Sequence, residues 1–302
     1  MSQLLWGIDL GGTKIEGIVL PSLNDPAPVH RSRVSTEKEH GYDHILHQIK
    51  KLIQHIEKET GKHPDQMGIG TPGVLDPILL TMKNSNTTAL NGMPLQKDLE
   101  TLLGIPVILA NDANCFALAE THWGVVKKSY PDAAMVFGII MGTGVGGGII
   151  HDGKVWAGKQ GIAGEWGHNF LDDSGGSCYC GKTGCVETIL SGPSLQRYYK
   201  SLTNKEVTLK DIVCAAENND EAAVATLERM NQFFGKAVSS VINLLDPDVI
   251  IIGGGVGNID SLYKDGYEAL KHWVFNNRVD TALVRPVLGD SAGVFGAAAL
   301  VA

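Results

Sequence analysis

The first 112 residues alternate between strand-like and helix-like patterns of hydrophobic positions. Two apolar segments, residues 4–9 and 15–20, flank a glycine turn and predict a β-hairpin. From residue 42 to 60, apolar side chains recur every three or four positions, which predicts an amphipathic helix. Strands are predicted at residues 67–70 and 106–110, and the second of these leads directly into a helix. This alternation is typical of an α/β protein.

A second strand–turn–strand pattern follows in the middle of the chain. Residues 135–141 are apolar, residues 142–148 are rich in glycine, and residues 148–151 are apolar again. Its similarity to the first hairpin indicates an internal duplication. We therefore expect two lobes, each of which presents a hairpin tip to one cleft.

The C-terminal part predicts a long amphipathic helix at residues 220–245, a buried strand at 248–252 with a glycine turn after it, and a closing helix at 291–302. We expect a small N-terminal lobe of residues 1–112 plus 290–302. Residues 113–289 are expected to form a larger C-terminal lobe that contains the cysteine-rich loop.

Composition excludes several classes of protein. The 302 residues are 43% hydrophobic and 19% charged, so a packed core is expected rather than disorder. The formal net charge of −8 argues against a nucleic-acid partner, which requires a basic face. The sequence contains neither a signal-peptide pattern nor an apolar stretch long enough to span a membrane. A cytoplasmic protein without a membrane partner is expected.

Glycine turns follow three predicted strands, where backbone N–H groups can approach phosphate oxygens without a Cβ in the way. The residues concerned are Gly11, Gly12, Thr13 and Lys14; Gly142, Thr143, Gly144, Val145, Gly146, Gly147 and Gly148; and Gly253, Gly254 and Gly255. The second group matches G-x-G-x-x-G but precedes a strand, not the helix of a dinucleotide-binding motif. The first group has the wrong residue order for a Walker A loop. We therefore expect hairpin tips to hold phosphates, the alternative being turns that need glycine only for a positive φ.

Asp9 follows the first apolar strand and immediately precedes the first glycine turn. A carboxylate at this place can position Mg²⁺, directly or through water. Thr13 and Lys14 can contact phosphate oxygens from the same turn. The alternatives are an aspartate that caps the turn and a lysine that is only solvated.

Three of the five cysteines lie within eight positions: Cys178, Cys180 and Cys185. In a reducing compartment such clustering is more typical of metal ligands than of disulfides. Together with His168 they make a Cys₃His set, which is a closed and therefore structural zinc site. The alternative is three free cysteines and an unrelated histidine.

Several segments together resemble the ROK family of sugar kinases and repressors. The motifs that carry the resemblance are residues 9–14, 142–148, 164–168, 178–187 and 252–255, which span nearly the whole chain in order. Residues 84–86, 90–92, 165–169 and 178–182 resemble bacterial fructokinases and manno(fructo)kinases in particular. N-acetylglucosamine kinases share much of this pattern but tend to carry Phe where Trp166 stands.

The resemblance implies an actin-like (ribonuclease H-like) ATPase fold with two lobes and a central cleft, ATP with Mg²⁺ at the glycine turns, and zinc at the cysteine loop. It implies that Asp112 is the general base, whereas the residues alone fit a helix N-cap equally well. The sugar ligands that it implies are Gly73, Asn86, Asn111, Asp112, Glu165, His168 and Glu187. For Glu187, a helix-start residue is the alternative.

The activity that the resemblance implies is a fructokinase, acting also on mannose, with the 6-phosphate as product. An N-acetylglucosamine kinase or another hexose kinase is the alternative within the family. A non-catalytic sugar sensor or repressor is the alternative of another class, and the first strand begins too early to leave room for a DNA-binding domain. The expected partners are ATP and a hexose, and family members are often homodimers.

Overall fold

The computed structural model describes residues 4–302, except for the side chain of Asp290. The chain divides into two compact units. Unit 1 contains the described part of Met1–Pro131 together with Gly148–Ala163 and Val287–Ala302, and unit 2 contains Asp132–Gly147 and Gly164–Pro286. These bounds differ from those of the two predicted lobes, which stay a prediction.

Strands and helices alternate along the chain, as the sequence predicts. The strands are β1 (Leu5–Leu10), β2 (Lys14–Leu20), β3 (His30–Ser35), β4 (Met67–Thr71), β5 (Val74–Leu75), β6 (Met82–Lys83), β7 (Val107–Asn111), β8 (Met135–Met141), β9 (Val145–His151), β10 (Lys154–Val155), β11 (Val249–Gly253) and β12 (Ala282–Val284). The α-helices are α1 (Tyr42–Thr60), α2 (Leu95–Leu103), α3 (Asp112–His122), α4 (Val125–Ser129), α5 (Glu187–Leu190), α6 (Gly192–Thr203), α7 (Leu209–Glu217), α8 (Glu221–Leu245), α9 (Gly254–Gly257), α10 (Tyr267–Lys271) and α11 (Ala292–Ala299). Short 3₁₀ and π turns join several of these elements.

The first sheet lies in unit 1 and has the strand order β3-β2-β1-β4-β7. β1, β4 and β7 are parallel, while β2 and β3 are antiparallel to their neighbours. The apolar face of α1 packs into one core with side chains of β1, β2, β4 and β7. Helix α11 packs closely on β1 and β4. At Gly7 on β1 there is no room for a side chain, since an added Cβ would lie only 2.4 Å from the Ala298 nitrogen.

The second sheet has the order β10-β9-β8-β11-β12. In unit 2, β11 pairs in parallel with both β8 and β12, and its five residues are all buried. Helix α8 packs against α6, α7 and α10 in the same unit. It begins at the Asp220 cap, whose side chain accepts a hydrogen bond from the Ala223 N–H, and it ends where Asp246 adopts a left-handed conformation.

The structure confirms the predicted α/β class, and helix α1 and strand β8 have the predicted bounds. Two turn predictions are wrong in extent. The glycine-rich turn is confined to residues 142–144, since β9 begins at Val145. Gly147 lies within that strand, and it is a glycine because the neighbouring backbone packs closely against it. An added Cβ would lie 2.6 Å from the Gly164 carbonyl oxygen.

The predicted turn at residues 253–255 is divided between two elements, with Gly253 ending β11 and Gly254 beginning α9. The closing helix is shorter than predicted, because α11 starts one residue after Ser291 and ends at Ala299. Among the described residues, no helix combines the length and apolarity that a membrane span requires.

Candidate active site

The carboxyl ends of three parallel strands place the two candidate acidic residues at one edge of the first sheet. Asp9 on β1 pairs with Gly70 on β4, and Gly70 pairs with Ala110 on β7. Asp112 follows two residues after Ala110, at the first position of α3. Strand ends at the same edge bring their side chains together, and the negative charge of Asp112 accordingly raises the pKa of Asp9.

The Asp9 carboxyl has a raised pKa. Its burial raises its pKa to about 6, with further contributions from Asp112 and Glu16 and an opposing one from Lys14. The start of α11 approaches closely, as a Cβ on Gly293 would lie 3.1 Å from Asp9 Oδ2. The Asp9 carboxyl makes no hydrogen bond with another residue of the described chain. Its oxygens are therefore available for a cation or for water.

The sequence left open whether Asp112 is a helix cap, and the structure gives that role to its neighbour. Asn111 is the N-cap of α3, and its Oδ1 accepts a 2.8 Å hydrogen bond from the Asn114 N–H. Asp112 Oδ1 accepts a 2.8 Å bond from the Ala113 N–H. The Asp112 side chain keeps exposed surface, and partial desolvation of its carboxyl by the neighbouring protein raises its pKa. A higher pKa makes a carboxylate a better proton acceptor.

The turn between β1 and β2 is held by a residue that the sequence analysis missed. The Gly11 N–H donates to the Lys14 carbonyl at 3.0 Å and closes the turn. Thr36, just after β3, donates its hydroxyl to the Gly11 carbonyl at 2.7 Å, and its N–H to the Thr13 carbonyl at 3.0 Å. Lys14 Nζ lies 3.9 Å from Glu16 Oε2, so this lysine has an ion-pair partner on its own strand.

The turn between β8 and β9 is held by the helices that follow the cysteine loop. The Gly142 N–H donates to Gly144 at 2.9 Å, and Gly192 at the start of α6 donates to the Gly142 carbonyl at 2.8 Å. Glu187 Oε2 accepts a 2.9 Å bond from the Val145 N–H. Glu187 is indeed the first residue of α5, and its carboxylate also fixes the predicted phosphate turn.

The third glycine group borders a cavity of about 710 Å³ inside unit 2. Gly254 has a φ of 81°, and a Cβ there would lie 2.2 Å from the Met141 carbonyl oxygen, so glycine is required. Gly255 lines the cavity together with residues that the sequence analysis missed: Leu209, Lys210, Val213, Ala216, Glu217, Leu227, Asn258, Ile259, Asp260 and Ser261. The sequence gives little indication of these residues, because the hydrophobic pattern of α7 is the same for a helix that faces a core and for one that faces a ligand.

The structure brings two of the predicted sugar ligands in unit 1 together. Gly73 packs directly on Ser85, since an added Cβ would lie 2.8 Å from Ser85 Cβ. The Asn86 N–H donates to the Pro72 carbonyl at 3.3 Å, and the Asn86 side chain is exposed. In unit 2, Glu165 and His168 flank one short 3₁₀ turn, and both are half-buried.

The four predicted metal ligands converge. The ligand atoms of His168, Cys178, Cys180 and Cys185 all lie within 4.8 Å of one another. His168 Nδ1 is 3.6 Å from Cys178 Sγ, and Cys180 Sγ is 3.6 Å from Cys185 Sγ. Tetrahedral zinc with bonds of 2.0–2.3 Å holds its ligand atoms roughly 3.5–3.8 Å apart. The Cys₃His donor set and these two distances therefore fit zinc.

The second ring nitrogen of His168 has a partner outside the cluster. The Tyr179 hydroxyl lies 3.0 Å from His168 Nε2, and the two rings meet edge to face with their centroids 5.2 Å apart. Tyr179 is 80% exposed. Partial desolvation of its hydroxyl and the nearby negative charge of Glu187 raise the pKa of Tyr179 to about 12, so the hydroxyl is neutral.

Comparisons with known proteins agree with the fold and the motifs. The ROK family profile matches residues 5–302. An N-acetyl-D-glucosamine kinase from Histophilus somni is 36% identical over 309 residues, covering 98% of each chain. The ROK hexokinase of Thermus thermophilus has a similar structure, with 29% identity, a TM-score of 0.87 and coverage of 99% of this chain and 97% of that one.

A second solved structure is the ROK glucokinase of Streptomyces griseus in complex with glucose and AMPPNP. It is 29% identical, covers 98% of both chains and gives a TM-score of 0.77. These structures confirm the predicted actin-like ATPase fold. The family match over nearly the full length and the curated relative at more than 30% identity lead to one conclusion. The chain belongs to the ROK family and is one of its sugar kinases.

Proposed function

We propose that this ROK sugar kinase transfers the γ-phosphate of ATP to a hydroxyl of N-acetylglucosamine. The observation that carries the choice of sugar is the name of the Histophilus somni relative, with which the chain shares 36% identity over 98% of each length. A curated relative from Pasteurella multocida bears the same name at the same identity. The predicted fructokinase activity has weaker support, because it rests on short motifs such as the one around Trp166.

The phosphates are assigned to the two hairpin turns and the adenosine end of ATP to the cavity of unit 2. Backbone N–H groups in glycine turns suit phosphate oxygens. The cavity of about 710 Å³ next to Gly255 has the size and the mixed apolar and polar lining that a nucleoside needs. Mg²⁺ bound with ATP would neutralise phosphate charge, and Asp9 is assigned as the carboxylate that would hold it, directly or through water.

On the sugar side, Asp112 is assigned as the base that takes the proton of the attacking hydroxyl. Its raised pKa and its place at the start of α3 support this role. Gly73, Asn86 and Asn111 are assigned to the sugar from unit 1, and Glu165, His168 and Glu187 from unit 2. For His168, the nitrogen outside the cysteine cluster is the one assigned to a sugar hydroxyl.

His168, Cys178, Cys180 and Cys185 would hold zinc. A closed four-ligand site leaves no position for a reacting water, so the ion would stabilise the loop rather than take part in phosphoryl transfer. That loop carries His168 at its start and leads into Glu187 at its end. A homodimeric assembly and a cytoplasmic location stay predictions.

An ADP-release assay with a panel of sugars tests the proposal. N-acetylglucosamine, fructose, mannose, glucose and allose are compared by kcat/KM under identical conditions. The proposal predicts the highest value for N-acetylglucosamine. A highest value for fructose or mannose would support the alternative acceptor, and ADP release that no sugar stimulates would contradict a sugar kinase.

A further inference from the structure

A small polar pocket in unit 1 lies beside the turn between β1 and β2. Its volume is about 230 Å³, enough for a phosphoryl group and a few waters. The lining residues are Lys38, Glu39, Asn86, Thr87, Thr88 and Ala89. Asn86 is a proposed sugar ligand, and the neighbouring turn is a proposed phosphate site. The pocket therefore adjoins both a proposed sugar ligand and a proposed phosphate turn.

Thr87 supplies the first observation. Its side chain is only 2% exposed, and its Oγ1 has no hydrogen-bond partner among the described residues. A buried hydroxyl without a partner is unfavourable, so such a group calls for a ligand or an ordered water. The oxygen faces the glycine turn, because it lies 3.5 Å from the point where a Cβ on Gly12 would stand.

Lys38 supplies an independent observation, because its side chain approaches Gly12 as the Thr87 hydroxyl does. Thr36 is fixed to the turn by its two hydrogen bonds. Glu37 then adopts a left-handed conformation with φ 50° and ψ 48°, which reverses the chain into the short 3₁₀ turn that Lys38 begins. Lys38 Nζ ends 3.6 Å from the Cβ position of Gly12 and forms no ion pair with any described residue.

We propose that Lys38 and Thr87 form a phosphoryl-binding site for the group in transfer, which makes both of them further catalytic residues. This assignment rests on the proposed function. In that reaction the sugar oxygen bonds to the γ-phosphorus and the hydroxyl proton goes to Asp112. The bond to the β–γ bridging oxygen breaks, and its electron pair leaves with ADP. Lys38 would neutralise charge on the transferring oxygens, and the Thr87 hydroxyl would donate to one of them.

The test compares Lys38→Met and Thr87→Val with wild type and with a matched control, Lys62→Met, whose lysine is exposed after α1. Loss of one transition-state donor lowers kcat by roughly 10²–10³-fold. We expect a fall in kcat of about 100-fold for Lys38→Met and for Thr87→Val alike. The KM for the sugar should change less than about two-fold, and the control should match wild type.

A second measurement does not depend on turnover. Mg²⁺, ADP, aluminium fluoride and sugar together mimic the phosphoryl group in transfer and should raise the melting temperature of wild type. Lys38→Met should lose most of this rise. Thr87→Val should be as stable as wild type without ligands, because its hydroxyl has no internal partner to lose.

Wild-type kcat and wild-type stabilisation in both variants would overturn the assignment and leave the proposed function intact. A raised sugar KM with unchanged kcat would also overturn it, since the two residues would then serve sugar binding. Absence of sugar-dependent ADP release in wild type would overturn the proposed function, and this assignment with it.

Discussion

The Glu187 carboxylate accepts a 2.9 Å hydrogen bond from the Val145 N–H and thereby ties α5 to the turn between β8 and β9. The fit is close, because a Cβ on Gly144 would lie 2.5 Å from Glu187 Oε2. Cys185, a proposed zinc ligand, stands two residues before Glu187. Within unit 2, the cysteine loop and the proposed phosphate turn are therefore linked through one side chain.

Replacing Glu187 by Ala should loosen that turn and raise the KM for ATP by roughly 10–150-fold, because a hydrogen bond to a charged acceptor contributes about 1.5–3 kcal/mol. Glu187→Gln keeps an acceptor oxygen, so its ATP KM should stay close to wild type. Its sugar KM then reports the proposed sugar contact separately. Glu221→Ala, at an exposed glutamate, is the control. An unchanged ATP KM in Glu187→Ala would mean that the turn does not depend on this bond.

Zinc analysis should find about one ion per chain, since one Cys₃His set is present in the described part of the chain. Cys180→Ser should lose the ion, lower the melting temperature by several degrees and weaken sugar binding. Cys214→Ser, at an exposed cysteine outside the cluster, should keep all three properties. Metal-free wild type with unchanged stability and sugar affinity would refute the zinc assignment.

Asp9→Asn should make the protein more stable and inactive. The folded-state pKa of Asp9 is raised to about 6 from 3.8, so its contribution to stability is complete below pH 3.8 and is lost as pH rises through about 6. Above that pH the wild type carries a desolvated carboxylate that the variant lacks. The unfolding free energy of the variant minus that of wild type should therefore be about 1–2 kcal/mol larger near pH 8 than near pH 5.

Urea unfolding at the two pH values measures this gain, with Asp65→Asn at an exposed site as the control. The same preparation should lose Mg²⁺-dependent turnover, because the proposed cation ligand is gone. An Asp9→Asn protein that is less stable at both pH values would indicate a structural aspartate instead.

Tyr179→Phe should bind sugar about two- to five-fold more tightly. The Tyr179 hydroxyl occupies His168 Nε2, the nitrogen that we assign to a sugar hydroxyl, so the sugar has to displace it. Phe keeps the ring contact with His168. Sugar titration monitored by tryptophan fluorescence gives the dissociation constant. A weaker affinity in the variant would show instead that the tyrosine hydroxyl contacts the sugar directly.

The parts of the site that the sequence predicted are those with a local signal. The cysteine spacing predicted the metal cluster, and the apolar strand before Asp9 placed its carboxylate at a sheet edge. Asp9 and Asp112 lie at the same sheet edge because of the register in which β1, β4 and β7 pair. Strand prediction alone does not give that register.

The residues that the sequence missed act through long-range packing. Thr36 holds the first turn from the end of β3, a strand that the hydrophobic pattern did not predict because its exposed and half-buried residues alternate at the sheet edge. The extent of the glycine-rich turn was overestimated for a related reason. Glycine serves turns and close packing alike, and only the neighbours of Gly147 show which requirement applies.

The central claim, phosphoryl transfer from ATP to a sugar with Asp112 as the base, is tested most directly by the turnover of Asp112→Asn. The variant should fold and bind sugar like wild type, because Asn111 and not Asp112 caps α3. Its sugar-dependent ADP release should fall by roughly 10²–10⁴-fold, the usual contribution of a general base. Asp132→Asn, at an exposed site, should retain full activity. A kcat for Asp112→Asn within a few-fold of wild type would contradict the account.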